Sequence, residues 1–348
     1  EPDKAKAAQV RKMLDDAGLL GVRAAVHRGA LDDLPYSPYC ANLILWGEQL
    51  GSGIDQFEAA DLYRVLRPYG GIAIELGSGE SKETARQFLI AGGVPADEIA
   101  DSSAGLQVTR GELPGAGEWT HAHANVRRTG SSGDSLARLP LGMLWWGGPG
   151  PSRIVSRHWR APSPLFSHGN LYIQGQHDII AVDAYNGREL WNRHLENVGR
   201  FPPTHRGGNI VADKDGVYCV LGTKCLQLDP RTGETANEFV FPLAEEHEQA
   251  MAGILPELGG KGVEGRRLVW EYLGLSGDRI IGTLGAELIV PDSELFRHLD
   301  TWQPSPHIFV FDKSSGKLLW QHRLDRSVIP TAIVADEEAV YVLDRSAN

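Results

Sequence analysis

Along the second half of the chain, apolar and polar residues alternate in short runs, each closed by Gly, Asn or Asp. This is the period of strands rather than helices. Runs at 164–167, 170–174, 178–182 and 189–194 predict four successive strands, and 209–212, 216–221, 224–228 and 234–241 predict four more. A third set begins at 270–275 and 279–284 and resumes at 307–311 and 317–323, with a long excursion over 285–306. Residues 242–267 are further surplus, with helical spacing over 244–252, and 331–335 and 339–343 predict two strands of a fourth set. The first hundred residues differ. Helical spacing over 4–17, 59–66 and 81–91 alternates with strand-like runs at 22–26, 41–46 and 72–76. That order predicts a parallel α/β sheet. Residues 91–117 shift to Gly, Pro, Ala and Asp and predict the domain's end and a linker, with one short strand near 106–109.

One hairpin recurs. Asp183, Gly187 and Trp191 share a frame with Asp312, Gly316 and Trp320, and Asp229, Gly233 and Asn237 form a third copy without the indole. In each, Asp is suited to bond back to the turn backbone and Gly to supply a positive φ. The three Asp positions lie 46 and then 83 residues apart. The first interval suits a four-stranded propeller blade of roughly 40–50 residues, and the second a blade plus an insertion. These residues resemble the pyrroloquinoline-quinone (PQQ) type of β-propeller repeat, a family of quinoprotein dehydrogenases and of scaffolds that bind no quinone. The resemblance implies a propeller over 114–348 and makes Trp191 and Trp320 indoles buried between blades. Glu118, Trp119 and His121 with Thr129-Gly130 resemble the segment that enters such propellers. The run 141–146 is expected to be a strand that closes the ring. Three and a half blades fall short of the roughly four to eight that close a propeller, so the sequence is expected to be part of a longer chain.

Residues 1–113 resemble the second half of a class I S-adenosylmethionine-dependent methyltransferase. The resemblance rests on Leu62-Tyr-Arg-Val-Leu-Arg-Pro-Tyr-Gly-Gly71 before a strand, and on the loop His27 to Tyr36. It makes Glu1 the carboxylate for the cofactor ribose and puts Ala30 and Leu31 beside the adenine, where Ala30 replaces a common Asp. Gly77-Ser-Gly79 is an ordinary turn rather than a phosphate loop. The expected fold is therefore a multi-domain one: a partial Rossmann-like sheet followed by an all-β propeller, as in planctomycete-type proteins that fuse the two.

A formal net charge of −11 over 348 residues argues against a nucleic-acid partner. No apolar run approaches the ~20 residues that span a bilayer. Cys40, Cys219 and Cys225 form no metal pattern, and the last two lie on neighbouring strands as buried thiols. His121 and His123 make a His-x-His without an identifiable third ligand, so they are expected to be hydrogen-bonded or solvent-facing. His158, Arg160, His205, Arg206 and Asn209 precede innermost strands and point to a channel mouth where a protein or small molecule would bind. A quinone site would also need an aromatic platform, oxygen ligands for Ca²⁺ and a catalytic carboxylate, which these residues do not supply. Three functions stay open: a binding scaffold, an S-adenosylmethionine-dependent methyltransferase whose propeller recruits substrate, and a quinoprotein dehydrogenase. Family resemblance implies an extracytoplasmic location.

Overall fold

The computed structural model describes residues 1, 3–29, 34–47, 58–76, 80–154, 162–196, 198, 208–242, 266–288, 303–324 and 328–343. They form two compact units: Glu1–Pro114 with Gly142–Trp146, and Gly115–Leu141 with Gly147–Asn348.

The first unit starts with helix α1 (Lys4–Asp16), whose N-cap Asp3 accepts hydrogen bonds from the amides of Ala5 and Lys6. Strand β1 (Leu43–Gly47), helix α2 (Ala59–Val65), strand β2 (Ile72–Leu76) and helix α3 (Glu80–Ala91) follow, then strands β3 (Ile99–Ser102) and β4 (Gly105–Thr109). The sheet order is β1-β2-β4-β3. Its β1–β2 pair is parallel, but β4 is antiparallel to both neighbours, so the expected all-parallel sheet is corrected to a mixed one. A tight turn joins β3 to β4, and a turn that short can join antiparallel strands alone. Residues 91–117 are thus in part a hairpin, not a linker. The strand expected at 22–26 is a turn with one bridge, Leu20 to Ala24. Leu62, Leu66, Leu89, Leu106 and Val108 make this unit's core.

The second unit holds three consecutive four-stranded antiparallel sheets. The first is β5 (Leu165–Ser167), β6 (Asn170–Gln174), β7 (Asp178–Asp183) and β8 (Glu189–His194); the second is β9 (Ile210–Asp213), β10 (Gly216–Leu221), β11 (Lys224–Leu228) and β12 (Thr235–Val240). The third is β13 (Arg266–Ser276), β14 (Arg279–Leu288), β15 (Gln303–Asp312) and β16 (Leu318–Arg323). Its strands overrun the expected ones, so the excursion shrinks to residues outside those described. A pair, β17 (Val334–Ala335) and β18 (Val340–Tyr341), begins a fourth. The strand expected from 331 is partly a 3₁₀ turn, Pro330–Ala332.

These sheets are propeller-like blades. The inner strand β9 lies against β5 on one side and β13 on the other. The second and third blades each divide their side chains between two cores. Val217 and Cys219 of β10 pack toward the first blade, with Tyr172, Ile179 and Trp191. Tyr218 and Val220 pack toward the third, with Trp270, Phe309 and Phe311. Burying one such side chain contributes about 1.5–3 kcal/mol, so the stacked faces carry the fold. Cys219 and Cys225 fall in different cores and are free thiols. Burial raises the Cys219 thiol to about 12, so both act as apolar filler.

The three hairpins share one geometry. The amide of Gly187 donates to Asp183 O at 2.8 Å, that of Gly233 to Asp229 O at 2.9 Å, and that of Gly316 to Asp312 O at 3.0 Å. A carboxylate oxygen of each Asp caps the turn amides, and each Gly sits near φ +70° (74°, 73° and 69°). A register shift precedes every Asp, between Ala181 and Val182, Gln227 and Leu228, and Val310 and Phe311. The indoles diverge, however. Trp191 is 8% exposed, whereas Trp320 is 40% exposed, against expectation. The second blade's turn covers Trp191, and the described part of the fourth blade has no such turn.

Residues 141–146 form no strand. Leu141, Met143 and Trp146 are 74%, 72% and 89% exposed. Alternation favours a strand, but an edge must supply the ladder bonds.

Candidate functional site

The segment Glu118–Val126 crosses the inner strands one after another. The amides of Trp119 and Phe166 each donate to the other's carbonyl at 2.9 Å, pairing the segment with β5. The amide of Ala212 in β9 donates to Thr120 O at 3.0 Å. The amide of Leu275 in β13 donates to His121 Nε2 at 3.0 Å. Val126 then packs with Tyr272, Ile308 and Ile333 between the third and fourth blades. Three neighbouring residues thus tie three blades at their inner strands.

His121 is buried. Burial, aided by the charge of Arg128, pushes its imidazole down to about 3. The ring is therefore neutral, and because Nε2 accepts, its proton sits on Nδ1 and is donated to Thr120 Oγ1 at 2.7 Å. Ala124, whose φ of 74° is unusual for a residue with a side chain, closes the turn: its carbonyl accepts from the amides of Thr120 and His121. His123 is less buried, its imidazole is also lowered by burial, and its carbonyl accepts from Gly130. The His-x-His is a structural lock on one side. Among the described residues no group of three His, Cys, Asp or Glu is arranged to hold a metal ion.

Above this hub lies a funnel of about 430 Å³. Its floor is Glu118, Thr120 and His121, and its walls are the turns that follow β5, β9 and β13. Each wall adds charge. In the first, the His168 amide donates to Glu118 Oε1 of the floor at 2.9 Å, and His168 Nδ1 faces the same oxygen at 2.9 Å. In the second, Asp213 Oδ1 caps the amides of Asp215 and Gly216. Lys313, from the hairpin after β15, extends its Nζ to Asp213 at 2.8 Å and Asp215 at 2.7 Å. Its backbone amide donates to Asp278 O in the third wall. Sequence reasoning missed this funnel, although Asp213-Lys-Asp-Gly216 and the Lys after Asp312 were there to be noticed. Nothing in one sequence says that turns 46 or more residues apart meet.

Of the residues singled out in sequence, Asn209 is buried. Its Nδ2 donates to Val198 O at 2.8 Å, and its Oδ1 accepts from Gln174 Nε2 at 3.1 Å. It fastens the crossover between the first two blades. His158, Arg160, His205 and Arg206 lie outside the described residues, as do Ala30, Leu31 and Gly77–Gly79. In the first unit the backbone nitrogen of Glu1 donates to His27 O at 3.2 Å.

A PQQ-repeat family described as outer membrane protein assembly factor BamB matches residues 119–246, a little over a third of the chain. No curated protein matches. Among solved structures, a europium-containing methanol dehydrogenase is 16% identical over 48% of this chain and 34% of its own, with a TM-score of 0.30. BamB from Moraxella catarrhalis is 13% identical over 51% of this chain and 65% of its own, with a TM-score of 0.19. A quinohemoprotein alcohol dehydrogenase from Pseudomonas putida HK5 is 12% identical over 65% and 44%, with a TM-score of 0.30. The chain thus spans about a third of the methanol dehydrogenase and under two thirds of BamB. The family match supports a PQQ-like repeat over residues 119–246, and scores this low add nothing to it.

Proposed function

We propose that the repeat unit is a binding scaffold outside the cytoplasm, with the funnel as its docking point for a protein or small-molecule partner. The observation that carries this is the hub. The backbones of Trp119 and Thr120 and the imidazole of His121 hold inner strands together, which leaves recognition to the rim. A photo-crosslinking residue at Lys214, an exposed rim position, is expected to capture a discrete partner, with the adduct lost in Asp213→Arg. Turnover of a redox dye after adding PQQ and Ca²⁺ would replace the scaffold with the quinoprotein dehydrogenase.

A methyltransferase role is the second reading. What supports it is the meeting of Glu1 with the His27 segment, the two places the resemblance assigns to ribose and adenine. Titration with S-adenosylmethionine is expected to give micromolar binding that Glu1→Ala removes; an unchanged heat signal in that variant ends this reading.

A further inference from the structure

We infer that Arg128 and His123 form an oxyanion site, which takes the carboxylate or phosphate group of a ligand at the turn that leaves the hub. The turn presents the arginine. The Arg128 amide donates to Asn125 O at 2.9 Å and the Gly130 amide to His123 O at 3.2 Å, so residues 123–130 fold back on themselves. Arg128 sits at φ 57°, a left-handed backbone that is uncommon for a residue with a side chain and clusters at ligand sites. Its guanidinium is partly buried. Among the described residues, however, nothing accepts a hydrogen bond from it and no carboxylate pairs with it. A cation drawn out of water is ordinarily paired. The imidazole of His123, also partly buried, likewise has no hydrogen-bond partner among the described residues. Burial first, and then the charge of Arg128, lower this imidazole. The two groups thus share one field, and His123 is neutral with one N–H to donate. The nearest carboxylates along the chain are already engaged. Between Glu118 and Asp134 the sequence has none. Glu118 accepts from Ser167 and His168, and Asp134 from the amides of Gly117, Leu136 and Ala137. A guanidinium fork with a neutral N–H beside it matches the oxygens of a carboxylate or phosphate. Neither residue lines the funnel, so this site stands or falls independently of the scaffold reading.

The probes are inorganic phosphate and acetate, each titrated into the full chain at neutral pH, with chloride holding the ionic strength constant. Binding is followed through the imidazole signals by NMR, and His123→Gln identifies the His123 signal by its loss. A saturable shift of that signal in the millimolar range is expected. Arg128→Asn removes the guanidinium but keeps a residue that accepts a left-handed backbone. It is expected to weaken binding about tenfold or more, as for a lost hydrogen bond to a charged group. Should that variant fold poorly, Arg128→Lys carries the test, since it keeps the charge without the fork. It is expected to bind several-fold more weakly, and unchanged binding overturns the inference. Saturation by phosphate alone assigns the site to a phosphate-bearing ligand, and saturation by acetate alone to a carboxylate such as an acidic side chain of a protein partner; either supports the inference. No saturation by either anion, or equal saturation in Arg128→Asn, overturns it.

Discussion

The hub and the hairpins hold the same blades by different means. The hairpins do so at the periphery with a repeated Asp–Gly turn, each side chain in one frame. The hub does so at the inner strands with a stretch that occurs once, in which Trp119, Thr120 and His121 each meet a different blade. Even the repeats diverge in use. From the first hairpin Trp191 reaches forward, its Nε1 donating to Pro230 O at 3.0 Å. From the third, Lys313 reaches back to Asp213 and Asp215. Both land on turns of the second blade. A repeat therefore fixes a backbone, and the neighbour decides what each side chain does with it.

The sharpest way to break the comparison is to cut both indoles. Trp191→Ala is expected to cost about 3–5 kcal/mol, as for a large side chain removed from a packed core. Trp320→Ala is expected to cost about 1 kcal/mol, since most surface substitutions cost less. Urea midpoints followed by circular dichroism compare them, and equal losses would refute the division. At the hub, His121→Leu leaves the buried Leu275 amide without its acceptor, worth about 1–3 kcal/mol.

The same histidine sets an acid limit. Its folded value, about 3, lies below the ordinary 6.5, so the unfolded chain binds a proton that the folded chain refuses. Its contribution is whole above pH 6.5 and is lost progressively as pH falls toward 3. His121→Leu is expected to flatten the stability profile in that window; an unaltered slope assigns the acid limit to other groups.

Glycines sharpen the hairpin half of the comparison. A Cβ on Gly233 would lie 2.5 Å from Trp191 Cε3, whereas one on Gly316 meets nothing nearer than Asn237 Nδ2 at 3.9 Å. Both carry positive φ. Gly316→Ala is expected to cost about 1–2 kcal/mol, the left-handed backbone penalty alone, and Gly233→Ala distinctly more, by the same urea measurement. The smallest effect is at Asp312, where Ser315 and Ser314 hydrogen bonds hold the carboxyl near 2. Its stabilising share persists at neutral pH and fades as pH falls from its ordinary 3.8 through 2. An NMR titration of Ser315→Ala is expected to show a higher midpoint.

Local chemistry made the repeats legible. Asp, Gly and the period of two are read within nine residues, so three blades and most strand bounds could be placed from the sequence, as could the helices of the first unit. Strand partners were less legible: β3 and β4 carry few apolar residues, and residues 141–146 carry many yet form no strand. The sequence by itself determined the hairpins and the blades, because a turn and its strands are specified by neighbours in the chain. Only the tertiary structure decided that Glu118–Val126 ties the inner strands, that His121 is a neutral lock, and that three distant turns form one charged funnel. Those contacts join residues up to 154 positions apart, and no local period encodes them.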